Sequence, residues 1–235
     1  MCSSVAGLSR RRLLVSAAAI ALAAGGVGGR NTAAAAAEGM SPDAMLAKLK
    51  EGNQRFLSAP QLCVSDLARQ RSGVAKGQSP WATILTCSDS RVVPELIFGG
   101  VGLGELFVAR NAGNMADTAT LGTIEYGAEH LHAPLIVVLG HARCGAVATA
   151  CEVVEKHTRL PGSIGPMVEA IVPAAKAVYG KPGDFVDNAV RESAKRTAAK
   201  IATQSHIVAE LVKSGAVKVV YARYDLDSGA VDFLS

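Results

Sequence analysis

The sequence predicts an α/β fold with a mostly parallel central β-sheet flanked by helices. Short apolar runs recur along the chain, and segments with apolar residues at helical spacing separate them. Strands that alternate with helices in this way are typical of α/β folds with a largely parallel sheet. One helix is predicted before the first strand, so the fold should begin with an N-terminal helical arm.

The apolar runs place the predicted strands. Four strands are predicted at residues 81–86, 105–109, 135–139 and 217–221. A possible edge strand is predicted at 231–234, because the Asp-Ser-Gly sequence at 227–229 is a turn signal.

Helical spacing of apolar residues places the predicted helices. The first begins at Ser41-Pro42-Asp43, because serine is a preferred N-cap, proline suits the first helical position and an acid suits the first turn. Further helices are predicted at 121–131, after Gly145, and at 186–211. The last is predicted as one long helix that Gly215 stops.

The first 37 residues resemble an export signal. Arg10 and Arg11 lie in a basic stretch before a Leu-Leu pair, as in signals of the twin-arginine type, and the apolar run at 13–24 is too short to span a bilayer comfortably. The alanine tract at 33–37 offers a cleavage position. We therefore expect residues 1–37 to be a cleaved signal peptide and 38–235 to be one domain. An uncleaved membrane anchor is the alternative.

The charge distribution agrees with this division. The chain has a net charge of +4, and the N-terminal segment contains four arginines and no acid before Glu38. The remaining domain is therefore close to neutral, without the electrostatic footprint of a protein that binds nucleic acid or anionic membranes. We expect a bacterial protein that is periplasmic or secreted, exported by the twin-arginine route, with no stable membrane association after cleavage.

Two short motifs carry the candidate metal ligands. Cys87 opens Cys-Ser-Asp-Ser-Arg after the first predicted strand, and His141 and Cys144 lie in His-Ala-Arg-Cys-Gly after the third. In open parallel sheets, ligands bind at this edge of the sheet. Two thiolates and one imidazole suit zinc, and three protein ligands leave a coordination position for water, as in catalytic zinc sites.

Asp89 and Arg91 strengthen the prediction of a catalytic site. They alternate beside Cys87, so both side chains can point the same way. An arginine fork can hold a carboxylate bidentately, and a carboxylate held ionised beside zinc can orient a water molecule.

The number of cysteines also allows disulfide formation as an alternative to metal binding. Without Cys2, the chain has Cys63, Cys87, Cys144 and Cys151, which could form two disulfides in an exported protein. A domain of this length does not need such crosslinks. Cys151 follows Cys144 by seven residues on a helical pattern and is expected to face the core.

With these residues in view, the chain resembles the β class of carbonic anhydrases. The resemblance extends from about residue 41 to the C-terminus, and four segments carry it: Cys87–Arg91, Glu105–Gly113, Ile124–Tyr126 and Gly140–Gly145. It implies a β-carbonic anhydrase-like catalytic domain with one Zn²⁺ per subunit on Cys87, His141 and Cys144. The implied activity is reversible hydration of carbon dioxide to bicarbonate and a proton by a zinc-bound hydroxide, with Asp89 and Arg91 as the catalytic dyad.

The resemblance also implies a substrate pocket. The plant-like branch of the family lines this pocket with residues that fall on Gln78, Phe107 and Tyr126 of this chain. Ala112 stands where plant enzymes often have valine and should widen the pocket slightly. In the family, the glutamine and tyrosine come from the neighbouring subunit, so we expect a homodimer or a higher homo-oligomer.

The sequence also fits two other functions. Hydrolases of carbon disulfide and carbonyl sulfide resemble the same family and share its zinc ligands. A non-catalytic zinc or thiol-redox protein is the second alternative, although it would have no use for the Asp89–Arg91 dyad.

Overall fold

A computed structural model describes residues 40–59 and 67–234 of the chain. The predicted signal at 1–37 lies outside the described residues, as do Cys2 and Cys63. Within the described ranges, no helix combines the length and apolarity needed to cross a membrane.

The described residues form one five-stranded sheet, which confirms the predicted α/β fold. The strands are β1 (Ala82–Cys87), β2 (Leu106–Asn111), β3 (Leu135–His141), β4 (Lys218–Tyr224) and β5 (Val231–Phe233). Their order across the sheet is β2-β1-β3-β4-β5. The first four strands run parallel and β5 pairs antiparallel to β4, so β2 and β5 are the edge strands.

Helices precede, connect and cover the strands. They are α1 (Pro42–Ser58), α2 (Leu67–Val74), α3 (Pro94–Ile97), α4 (Thr118–Glu129), α5 (Gly145–Lys156), α6 (Ile164–Glu169), α7 (Val172–Val178), α8 (Phe185–Gln204) and α9 (His206–Lys213). The predicted start of α1 is confirmed, because the side chain of Ser41 accepts a hydrogen bond from the N–H of Ala44 over 3.3 Å.

The four parallel strands end one to three residues later than predicted. The apolar runs stop before the ladder does, because polar residues such as Cys87 and His141 continue the strand hydrogen bonding. Both residues are therefore the last residues of strands, whereas the sequence placed them in the loops that follow. This position ties two candidate metal ligands directly to the rigid sheet.

The single long helix predicted at 186–211 is wrong, because α8 and α9 are separate helices that meet at Ser205. The Ser205 hydroxyl accepts from the N–H of Val208 over 3.1 Å and donates to Glu125 Oε1 over 2.6 Å. Serine competes with helical backbone bonding in this way and starts a new helix. Apolar periodicity continues across the junction and cannot reveal it.

The core lies on both faces of the sheet. Along β3, Val137 and Leu139 pack into one apolar cluster, with α1, while Ile136 and Val138 pack into another, with α4 and α8. This alternation buries the strand on both faces, as expected for a central parallel strand. The carboxyl ends of β1 and β3 are thereby held at fixed positions.

The N-terminal helical arm, α1, is anchored to segments that are distant in the sequence. The amide group of Asn53 is buried, and it donates to the carbonyls of Ile97 and Gly229 and accepts from the N–H of Val231. Because each of these bonds joins α1 to a distant segment, the arm forms part of the folded core.

Candidate metal centre and active site

Three candidate metal ligands converge at the carboxyl edge of the sheet. Cys87 ends β1, His141 ends the neighbouring β3, and Cys144 is the residue that caps α5. Their donor atoms all lie within 4.8 Å of one another, and all three side chains are buried. The sheet order brings the two sequence motifs together because β1 and β3 pair in parallel.

The imidazole of His141 is oriented for metal binding. Its Nδ1 lies 2.9 Å from the carbonyl oxygen of Ala142, so the proton on Nδ1 can be donated to that oxygen. Its Nε2 is fully buried and has no hydrogen-bond partner among the described residues. A buried nitrogen without a partner is costly, whereas an imidazole that donates one N–H to a carbonyl and directs the other nitrogen outward is the usual arrangement of a metal ligand.

The two sulfur atoms also fit zinc. Sγ of Cys87 and Sγ of Cys144 lie 3.9 Å apart. Two sulfurs bound to one tetrahedral zinc at about 2.3 Å each would lie about 3.8 Å apart. The donor set and its spacing therefore match the requirements of a zinc site with three protein ligands.

Neighbouring groups already stabilise negative charge at this site. Cys144 Sγ donates a hydrogen bond to Cys87 Sγ, and this bond is the main cause of the lowered pKa of Cys87. The same bond, with burial, raises the pKa of Cys144. The two thiols thus favour one thiolate between them, and a bound divalent cation would favour both.

The backbone at the metal centre is held by β2. Arg110 Nε donates to the carbonyl of Cys87 over 3.1 Å, and its Nη2 donates to the carbonyl of Asp89 over 2.7 Å. The side chain of Asn111 closes the next loop, because it donates to the carbonyl of Met115 and accepts from the same residue's N–H. Sequence reasoning assigned no role to Arg110 or Asn111. Their position directly after an apolar strand, as for Cys87, was the available signal.

Gly113 contacts the metal centre through its backbone. Its N–H donates to Cys87 Sγ over 3.5 Å, and its φ is +83°. A Cβ at this position would lie 2.5 Å from Cδ1 of Ile171. The positive φ therefore favours glycine at this position, and a side chain here would also have to displace the end of the Ile171 side chain.

Asp89 and Arg91 form the predicted bidentate pair. Arg91 Nε donates to Asp89 Oδ1 over 2.9 Å and Nη2 donates to Oδ2 over 2.7 Å, while the Arg91 N–H also donates to Oδ1. The Arg91 side chain holds the pKa of Asp89 well below its usual range. Asp89 Oδ2 lies 3.9 Å from His141 Nε2, which places the carboxylate beside the donor set.

The four predicted pocket residues lie in two places. Ala112 is half-buried in the loop after β2, next to Gly113. Phe107 lies early in β2, opposite Thr83, and its ring is 6.1 Å from that of Tyr126. Thr83 precedes Cys87 by four strand residues, roughly 13 Å at about 3.3 Å per residue.

Gln78, like Phe107 and Tyr126, lies away from the metal ligands. Its Cβ lies 4.0 Å from the place that a Cβ on Gly104 would take, just before β2 begins. Gln78, Phe107 and Tyr126 thus lie toward the amino end of the edge strand, whereas the metal ligands lie at its carboxyl end. One chain alone brings only Ala112 of the predicted pocket to the metal centre.

The described cysteines form no disulfide. Cys87, Cys144 and Cys151 are free thiols. Cys151 is buried in the core, as predicted, and burial is the main cause that raises its pKa to about 11. These three cysteines therefore do not support the disulfide alternative.

Known proteins share both the sequence pattern and the fold. The family model described as carbonic anhydrase matches residues 82–231. Carbonic anhydrase 2 of Mycobacterium tuberculosis is 38% identical over 189 residues, covering 80% of this chain and 91% of the relative. A carbonic anhydrase of Mycolicibacterium smegmatis is 35% identical over 199 residues, covering 83% of this chain and 94% of the relative.

Solved structures agree with the sequence relatives. A Coccomyxa β-carbonic anhydrase in complex with acetazolamide superimposes with a TM-score of 0.63 at 26% identity, covering 80% of this chain and 86% of that one. The β-carbonic anhydrase CafA of Aspergillus fumigatus gives a TM-score of 0.61 at 27% identity, covering 82% and 90%. By its family-model match, its relatives and its fold, the chain belongs to the carbonic anhydrase family, in the β class.

Proposed function

We propose that this zinc enzyme hydrates carbon dioxide reversibly to bicarbonate and a proton, with one zinc ion per chain held by Cys87, His141 and Cys144. The observation that carries the proposal is the convergence of three donor atoms within 4.8 Å, with the Asp89–Arg91 pair directly beside them. When bound, zinc supplies the Lewis acidity that brings the pKa of water down to about 7.

Asp89 is the residue that aims the attacking water. Its Oδ1 accepts two hydrogen bonds from Arg91, and its Oδ2 accepts one. A carboxylate oxygen has two lone pairs, so Oδ2 keeps one free, and Oδ2 is the oxygen next to His141 Nε2. That lone pair can accept the remaining proton of the nucleophile and direct its oxygen at carbon dioxide.

Arg91 keeps Asp89 in the form that this role needs. A protonated carboxyl would donate a hydrogen bond where the reaction needs an acceptor. The guanidinium favours the ionised form and fixes both oxygens in one plane. Asp89 therefore remains an acceptor throughout the pH range in which the enzyme would work.

A homodimer would complete the substrate pocket. Within one chain, Phe107 and Tyr126 lie far from the ligands, and Tyr126 is 49% exposed although its ring packs on Phe107. Both are on or beside β2, whose outer edge pairs with no other strand of the described sheet. We propose that a second subunit covers this edge, and that Gln78, Phe107 and Tyr126 of each chain serve the metal centre of the other. Gln78 and Tyr126 would bind bicarbonate oxygens, and Phe107 would join Ala112 in an apolar wall for carbon dioxide.

A mixing experiment tests the shared pocket. Asp89→Asn and the double variant Gln78→Ala/Tyr126→Phe are each expected to be nearly inactive alone. When they are unfolded and refolded together, mixed dimers contain one intact site, so activity should recover to about a quarter of the wild-type value. Asp89→Asn refolded with Arg91→Gln is the control, since both changes are in the same half of the site. Recovery in the control, or none in the test mixture, would contradict the shared pocket.

Stopped-flow measurement of carbon dioxide hydration by zinc-loaded protein tests the activity itself. The same preparation should be assayed with carbonyl sulfide and carbon disulfide, because hydrolases of those substrates were the alternative on the same ligands. Hydration that requires both zinc and Asp89 supports the proposal. Turnover of the sulfur substrates without hydration of carbon dioxide would replace it.

The proposed location is outside the cytoplasm. The support lies in the N-terminal sequence, with its paired arginines, short apolar run and alanine tract. The first described helix begins at Pro42, so cleavage after Ala37 would leave the described fold whole. Export in the folded state would allow zinc to protect the thiols before they reach an oxidising compartment.

A further inference from the structure

An ion pair joins the loop that carries two metal ligands to a distant turn. Arg143 stands between His141 and Cys144. Its Nη1 donates to Oδ2 of Asp227 over 2.7 Å, and its Nη2 donates to Oδ1 over 2.9 Å. Asp227 lies 84 residues further along the chain, in the turn between β4 and β5.

The backbone of Arg143 has an unfavourable conformation that places Cys144. Its φ is +52°, in the left-handed region that residues with a Cβ rarely adopt. Such conformations persist only where surrounding contacts hold them. The chain leaves β3 at His141 and enters α5 at Gly145, so this single turn decides where Sγ of Cys144 points.

The turn that receives Arg143 is itself well ordered by hydrogen bonds. Asp225 Oδ1 accepts from the N–H of Asp227 over 3.1 Å, and from the N–H and hydroxyl of Ser228 over 2.9 and 3.0 Å. Asp225 Oδ2 accepts from Arg223 Nη1 over 3.0 Å. Asp227 is therefore presented to Arg143 from a fixed position.

The ion pair between Arg143 and Asp227 contributes little to the stability of the whole fold. The side chains of Arg143 and Asp227 are 56% and 75% exposed, and exposed ion pairs contribute little to the stability of a fold. We propose that Arg143 is a positioning residue of the metal centre. Its pairing with Asp227 holds the left-handed turn, which keeps Cys144 Sγ at the point faced by Cys87 Sγ and His141 Nε2. Bound zinc is consequently released slowly. This inference rests on the zinc site proposed above.

Transfer of zinc from the loaded protein to an excess of a chromogenic chelator measures the effect directly. Asp227→Asn keeps the shape of the side chain and removes its charge, and we expect zinc release to be a few-fold faster, because an exposed ion pair contributes only modestly. Glu192→Gln is the control, because it breaks an ion pair with Arg196 within α8 and leaves the metal ligands and their loop unchanged. The control should release zinc at the wild-type rate, and the melting temperatures of the two metal-free variants should match.

A second pair of variants separates the effect of backbone strain at Arg143 from the effect of losing the ion pair. Arg143→Gly removes the ion pair, but glycine adopts a φ of +52° without strain. Arg143→Ala removes the ion pair and keeps the strain. If the pair acts by holding the turn, zinc release should be slowest in the wild type, faster in Arg143→Gly and fastest in Arg143→Ala.

The outcomes distinguish this inference from the zinc site on which it rests. If wild-type protein fails to bind one zinc per chain, both fall. If wild-type protein binds zinc and Asp227→Asn releases it at the wild-type rate, only the positioning role of Arg143 falls. Equal acceleration in Asp227→Asn and Glu192→Gln would also overturn it, since the effect would then follow any lost surface charge.

Discussion

The N–H of Gly113 donates a hydrogen bond to Sγ of Cys87 over 3.5 Å, across the gap between the loop after β2 and the end of β1. The donor points at a sulfur that must be negatively charged to bind metal. Gly113 also packs closely against the core, since a Cβ at this position would lie 2.5 Å from Ile171 Cδ1. Gly113 thus stabilises negative charge on Cys87 and also packs against Ile171.

Gly113→Ala should destabilise the fold. We expect the free energy of unfolding to fall by about 1–3 kcal/mol from backbone strain, with the contact to Ile171 adding to it. Ile171→Val removes the clashing Cδ1 atom. Denaturant unfolding of both single variants and the double variant should show that the double variant is less destabilised than the sum of the two. Simple additivity would contradict the close contact.

Replacing any one of Cys87, His141 or Cys144 by alanine should abolish zinc binding and activity together. Among the described residues, Cys87, His141 and Cys144 are the group whose donor atoms all lie within 4.8 Å of one another. Zinc content by elemental analysis and hydration rate are the measurements. Cys151→Ala is the control, because Cys151 is a buried free thiol outside the donor set, and it should keep one zinc per chain. Full zinc content with near-wild-type hydration in any ligand variant would remove that residue from the set.

Asp89→Asn should retain zinc and lose activity. The amide has nearly the same shape but removes the anionic acceptor beside His141, so orientation of the nucleophile is lost. We expect a rate of hydration about a hundredfold lower. The rate must be measured at saturating buffer, so that proton release does not mask the chemical step. Unchanged turnover under those conditions would contradict the role of Asp89.

Asp225 should make the stability of the fold depend on acid pH. Its hydrogen bonds with the backbone and side chain of Ser228 lower its pKa well below the ordinary value of 3.8. A lowered folded-state pKa contributes stability that is fully present above the unfolded-state pKa and is lost as the pH falls through the folded-state value. Metal-free wild type should therefore melt above Asp225→Asn at neutral pH, and this difference should shrink progressively as the pH falls below about 5. A difference independent of pH would show that the charge of Asp225 contributes nothing.

Replacing Arg10 and Arg11 together by lysine should block export and leave active enzyme in the cytoplasm. Lysine keeps the charge but lacks the planar guanidinium that the twin-arginine receptor recognises. Fractionation of cells, with hydration activity measured in each fraction, tests this. Normal accumulation outside the cytoplasm would indicate the general secretory route, and zinc loading before export would lose its support.

The metal ligands and the dyad could be identified from sequence because each is local. Cys87, Asp89 and Arg91 lie within five residues, and His141 and Cys144 lie within four, so their spacing is visible without a fold. Arg110 was not assigned a role because its function depends on register: it reaches the carbonyls of Cys87 and Asp89 only when β2 lies beside β1. The pairing of Arg143 with Asp227 was missed for the same reason.

The helix boundary at Ser205 could not be predicted from apolar periodicity. The apolar spacing is the same on both sides of the junction, and the break depends on a hydrogen bond from Ser205 to Glu125, 80 residues earlier in the chain. Periodicity reports which face of a helix is buried. It does not report where a capping side chain such as Ser205 ends one helix and begins the next.

The position of the metal ligands in the sheet has a consequence for how the enzyme responds to dilution. Cys87 and His141 end two interior strands, whereas Phe107 belongs to the edge strand that the proposed second subunit would cover. A single chain can then retain zinc, whereas turnover requires the dimer. As the enzyme is diluted past the dissociation constant of the dimer, activity per chain should fall while zinc per chain stays constant.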